Sequence, residues 1–64
     1  MRHYIWIMLF FILTSCSHHQ AVKSNRRGMD YITREQPGKA LQEFNNAIAL
    51  DPNLFSAYYN RAIA

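Results

Sequence analysis

Cysteine, glycine, proline and acidic residues are all scarce in this chain, and each scarcity excludes something. One cysteine in 64 residues rules out an intramolecular disulfide and leaves no cysteine-based zinc site to build. Two glycines, Gly28 and Gly38, ten residues apart and in no glycine-rich run, give no glycine-rich cradle for phosphates. Four carboxylates supply no pair set near a histidine, and no nucleophile–base pair is recognisable. The sequence thus points to no catalytic centre, no cofactor, no metal and no small-molecule substrate. The formal charge of +3 is interspersed, with Arg26 and Arg27 the only adjacent basic pair. That lacks the basic stripe or cluster that nucleic-acid binding requires.

What is abundant is apolar character, unevenly placed. Residues Tyr4 to Leu13 form an unbroken apolar run, and the rest of the chain mixes polar with apolar residues. Arg2 precedes the run and small polar residues follow it, which is the layout of a secretory leader. Ten residues are about half of the roughly 20 needed to span a bilayer, and an all-apolar helix has no face to offer water. The run ends in Leu13-Thr14-Ser15-Cys16. This resembles the bacterial lipobox: an aliphatic residue, two small residues and an obligatory cysteine. The resemblance implies that Cys16 receives a diacylglyceryl group on its thiol and that residues 1–15 are removed as a signal peptide. An ordinary signal peptide with a chance cysteine, or a short tail-like membrane helix, is the alternative. Thiolate nucleophilicity suits that acylation. Each buried methylene adds about 0.8 kcal/mol of membrane affinity, so two or three chains anchor firmly.

Residues 16–20, the lipidated cysteine with Ser17, His18, His19 and Gln20, read as a short polar tether. Extended, its four residues after Cys16 reach about 14 Å, which keeps the following domain near the membrane. Two adjacent histidines seldom converge on one ion, and no third ligand is close in sequence, so metal binding is not expected.

From Ala21 the apolar period becomes helical. Ala40, Leu41, Phe44, Ala47 and Ile48 share one face of a helix over 37–50. Pro37 suits its first turn, and Asp51 before Pro52 ends it. A second, less regular helix is expected over Val22 to Arg34. Val22, Met29 and Ile32, with Tyr31, supply its apolar side, and Gly28 interrupts it at a cost of about 1 kcal/mol relative to alanine. Close approach of a neighbouring helix would account for that glycine. Glu35 and Gln36 form the turn between them, making the two helices antiparallel neighbours.

Gly28, Tyr31, Ala40, Phe44, Ala47 and Pro52 stand at the spacings of the tetratricopeptide repeat, and this part of the chain resembles that family, a helix–turn–helix unit of 34 residues. Adding 34 to Ser24 and Gly28 gives Tyr58 and Ala62, an aromatic and a small residue in the same register. The resemblance implies an all-α fold, a fragment of an α-solenoid, with a first repeat over 21–54 and the start of a second over 55–64. It implies that Gly28, Tyr31, Ala40, Phe44, Ala47, Pro52, Tyr58 and Ala62 are packing positions. It also implies a partner groove along Asn25, Met29, Ile32, Tyr59, Asn60 and Ile63, with Val22, Thr33 and Ser56 beside them. Ser24 stands where a large aromatic is usual, Arg27 and Arg61 where leucine is usual, and Glu35 and Pro37 replace glycine and tyrosine at the turn. Asn60 fits one place of the family's clamp for a peptide carboxylate, but Asn25 and Met29 miss the others, so that ligand is not implied.

Together the two resemblances imply a lipid-anchored scaffold of the bacterial cell envelope that holds other proteins or peptides at a membrane. Ser17, where aspartate would retain a lipoprotein in the inner membrane, implies the outer membrane facing the periplasm in a two-membrane cell. The alternatives are an envelope enzyme or enzyme accessory whose catalytic part lies beyond Ala64, or a truncated product without function.

Overall fold

The computed structural model describes the backbone of residues 2–64 and the side chains of Tyr4, Ile5 and residues 16–64. Met1 and the side chains of Arg2, His3 and residues 6–15 lie outside the described residues. These include Leu13, Thr14 and Ser15, on which the leader and cleavage readings rest. Three α-helices make up the fold: α1 over Arg2–Thr33, α2 over Pro37–Leu50 and α3 over Phe55–Ile63. There is no strand among the described residues. No helix among them is long and apolar enough to cross a membrane.

α2 and the turn before it lie where the sequence places them, with Pro37 in the first helical turn. α1 does not begin at Val22. It runs without a break through Ser17–Gln20, so the residues read as a tether are helical. Polarity alone does not break a helix, and no glycine or proline stands before Gly28 to end one.

The end of α1 is a Schellman motif. The Gln36 N–H donates to the Tyr31 carbonyl at 2.8 Å and the Glu35 N–H to the Ile32 carbonyl at 3.0 Å. The motif requires a left-handed residue after the helix, and Glu35 takes that role with φ 59°. Glycine would adopt this φ without strain, whereas a side chain costs about 1–2 kcal/mol there. Asp51 closes α2. Its N–H donates to the Ala47 carbonyl at 2.9 Å, and its Oδ1 accepts from the Asn53 N–H at 3.0 Å. Its carbonyl accepts from the Leu54 N–H at 3.1 Å, turning the chain into α3.

Small residues let the helices close together. Ala21, Ala47 and Ala57, one from each helix, form a buried cluster flanked by Ile48 and Leu54. Phe44 is the one large side chain fully buried among the described residues. Its ring lies on Gly28. A Cβ on that glycine would sit 2.6 Å from Phe44 Cδ1 and 2.8 Å from Cζ, with Cε1 nearer still. Gly28 is therefore the centre of the α1 packing face, which runs through Ala21, Ser24 and Gly28. The face does not run through Val22 and Met29 as the apolar pattern suggested. Val22 is half-buried and Met29 exposed. Gly28 costs helix propensity and gains the contact with Phe44 in exchange.

Candidate functional site

The residues expected to line a groove come from α1 and α3, which lie side by side against α2. An asparagine-based link joins them. Asn60 Nδ2 donates to Asn25 Oδ1 at 3.0 Å, and Asn25 Nδ2 donates to Ser56 Oγ at 3.2 Å. This fixes the spacing of α1 and α3 without a charge and without a large apolar contact between them. Around the link, Met29, Tyr59 and Ile63 are exposed and Ile32 is half-buried. Thr33 is exposed, its hydroxyl donating to the Met29 carbonyl one turn back in α1 at 3.2 Å. Of the six expected groove residues, Asn25 and Asn60 touch directly. Met29, Tyr59 and Ile63 present apolar surface on the two helices.

The packing positions divide. Gly28, Ala40, Phe44 and Ala47 are buried and Tyr31 is half-buried, while Pro52, Tyr58 and Ala62 are exposed. Tyr58 and Ala62 are exposed because no helix covers their side of α3 among the described residues. Their side is broader than the sequence suggested. Phe55 is 75% exposed, Tyr59 70% and Ile63 57%, and with Ala62 they lie on the side of α3 opposite the buried Ala57 at about 100° per residue. Phe55 and Ala57 were not among the expected site residues. Phe55 stands 34 residues after Ala21, so the repeat register could have identified it as a position that packs in one repeat and awaits cover in the next. A contiguous apolar face of this kind marks an interaction surface.

The departures from the repeat pattern have local explanations. Ser24, 3% exposed, sits where the pattern favours an aromatic, and its hydroxyl accepts from Arg27 Nη2 at 3.1 Å. Arg27 Nε also meets Glu43 Oε2 at 2.9 Å, joining α1 to α2. Thirty-four residues on, Arg61 donates to Asn45 Oδ1 at 3.2 Å and lies over the Tyr58 ring at 5.4 Å. In both helices the arginine contacts the residue three before it and reaches α2, which an arginine can do from the edge of a packing face with its stem against apolar surface.

One further contact reaches back toward Cys16, which is exposed. His18 Nδ1–H donates to Asp51 Oδ2 at 2.6 Å. This bond, followed by the Asn53 N–H, holds the Asp51 carboxyl below its ordinary value of 3.8. The first turn after Cys16 is thereby seated on the end of α2. No group of three metal-ligating side chains is brought together among the described residues.

The family model described as TPR repeat matches residues 28–64, more than half of the chain and the whole of the α1 end, α2 and α3. No curated protein and no solved structure matches it. TPR repeats act in protein–protein interaction and are typically non-catalytic. The stacked helices, the buried small residues at 28, 40 and 47 and the family match converge, and the chain belongs to the TPR repeat family.

Proposed function

We propose that the chain is a lipid-anchored lipoprotein of the bacterial cell envelope, held at Cys16, whose TPR module holds a partner protein close to a membrane. The observation that carries the anchor is Leu13-Thr14-Ser15-Cys16 directly after a ten-residue apolar run. The exposure of Cys16, ahead of the first packed residue Ala21, is compatible with a lipid at that site. The partner face is the exposed apolar surface of Tyr59 and Ile63, continued by Met29 across the Asn25–Asn60 link. Outer-membrane sorting, facing the periplasm in a two-membrane cell, is part of the same proposal and rests on Ser17 after the cysteine.

Metabolic labelling in a bacterial host tests the anchor. Labelled fatty acid enters the natural chain and not Cys16→Ser, and blocking the lipoprotein signal peptidase leaves a heavier lipidated precursor. Equal labelling of both chains would refute the reading. Separation of the two membranes on a density gradient tests the sorting, and recovery in the inner fraction alone would overturn that part.

A further inference from the structure

Six cations follow Cys16, and four of them are engaged within the chain. Arg27 pairs with Glu43 and Arg34 with Asp30. Lys39 lies over the Tyr31 ring at 5.8 Å, and Arg61 is held by Asn45 and Tyr58. Lys23 and Arg26 have no ion pair, hydrogen bond or ring contact among the described residues, and both are exposed on α1. At 3.6 residues per turn, Cys16, His19, Lys23 and Arg26 fall within about a quarter of the helix circumference. Their side of α1 lies away from Ala21, Ser24 and Gly28, the residues buried against the other helices. Lys23 stands about 10 Å and Arg26 about 15 Å along the axis from Cys16. Asp30 falls on the same side, further along, and is held by Arg34 at 3.0 Å.

We propose that this side of α1 is a docking surface for anionic phospholipid head groups, laying the helix along the membrane and turning the α2 side away from it. The inference rests on the lipid anchor proposed above. Two cations would bind a membrane weakly from solution, where stable attachment takes two signals. Once a lipid on Cys16 holds the chain, the second contact is intramolecular and acts at high effective concentration. The helical path through Ser17–Gln20 and the His18–Asp51 bond make the link from Cys16 to the repeat stiff, so an interaction along α1 orients the whole module. An acidic protein partner would satisfy the same charges, but the anchor places lipid head groups within reach of Lys23 and Arg26 in every molecule. Those two cations shift the ratio of docked to lifted modules by roughly 30-fold at physiological salt.

The test uses the full chain with further repeats joined after Ala64, lipidated in a bacterial host and reconstituted into vesicles of phosphatidylcholine or of phosphatidylglycerol. A spin label is placed at Thr33→Cys on α1 or at Asn46→Cys on α2, and a nickel-chelating lipid relaxes any label near the head groups. The label at 33 is relaxed more strongly than that at 46 on phosphatidylglycerol. The difference disappears on phosphatidylcholine, in high salt, and in a chain carrying K23E and R26E or the milder K23Q and R26Q. Helical content measured on each variant ensures that a lost difference is read on folded chains. Mass spectrometry of the same samples reads the acyl groups on Cys16. Acylated chains whose label at 33 behaves alike on both vesicle types overturn the docking surface and leave the anchor standing. Chains without acyl groups on Cys16 overturn the anchor and the docking surface with it.

Discussion

The end of α1 and the whole of α3 occupy the same repeat register, 34 residues apart, yet meet opposite surroundings. Ser24 and Gly28 are buried under α2, with the Phe44 ring resting on Gly28. Their counterparts Tyr58 and Ala62 are exposed, and Ala21, fully buried, corresponds to Phe55, which is 75% exposed. Both helices keep the arginine at the same place and use it alike. Register decides which side of a helix is apolar and small. The presence of a neighbouring helix decides whether that side is core or open surface. In a stacked-repeat protein each unit completes its core with the next, and here α3 offers such a side uncovered.

Substitutions at paired positions break or sharpen this comparison, best measured as unfolding free energies in a chain lengthened past Ala64 by repeats stacked on α3. The largest difference is expected at Phe44. Phe44→Ala costs about 3–5 kcal/mol, the range for emptying a fully buried aromatic site. Tyr58→Ala, at an exposed position, leaves the helical content of the unextended chain unchanged. Next is Gly28→Ala. The added methyl meets the fully buried Phe44 ring at less than van der Waals distance, and overpacking of this kind costs about 1–3 kcal/mol. Ala62→Val is a larger volume change and yet leaves the helical content of the unextended chain unchanged, while it costs about 1–3 kcal/mol once added repeats cover it. An equal loss of helical content from Gly28→Ala and Ala62→Val in the unextended chain would show that register alone sets burial.

A gain is expected at the turn. Glu35→Gly relieves the left-handed backbone, and after the greater freedom of the unfolded glycine chain is subtracted the net stabilisation is about 0.5–1 kcal/mol. Smaller again is Glu43→Gln, which weakens the pair with the largely exposed Arg27 and costs about 0.2–1 kcal/mol, less at high salt. The smallest effect belongs to His18 and Asp51. The Asp51 carboxyl is lowered in the folded chain. Its contribution is therefore present above its unfolded value and is lost as pH falls through the lower folded value. Asp51→Asn flattens that acid-side loss in a pH series of unfolding curves.

Much of this was legible in the sequence where one physical signal dominated. α2 announced itself by a 3.6-residue apolar period, a proline at its start and Asp51-Pro52 at its end. The repeat register located Gly28 against a neighbouring helix and placed α3 at residue 55, and it put on one expected face Asn25 and Asn60, which bond to each other at 3.0 Å. Less legible was whatever depended on a neighbour. Ser17–Gln20 looked like a tether because they are polar, and only the lack of a breaker in the chain around them makes them helix. Ala21 and Ala57 carry little hydrophobic signal by themselves, although they meet Ala47 in the core. Leu41 and Leu50 carry a strong signal and remain exposed at the edges of α2, because the small residues of α1 and α3 draw its Ala40, Phe44 and Ala47 face inward instead.

α3 carries an uncovered apolar side among the described residues, and a repeat unit of this kind completes its core with the next. Thermal unfolding of residues 17–64 alone, followed by far-ultraviolet circular dichroism at low concentration, tests this most directly. Phe44 is the one large side chain fully buried among the described residues, and about three stacked repeats are normally needed for a stable array. The account predicts weak helicity and no cooperative transition for this piece, and recovery of both when further repeats are joined after Ala64 or the partner protein is added. A sharp transition from a dilute monomer of residues 17–64 would contradict it.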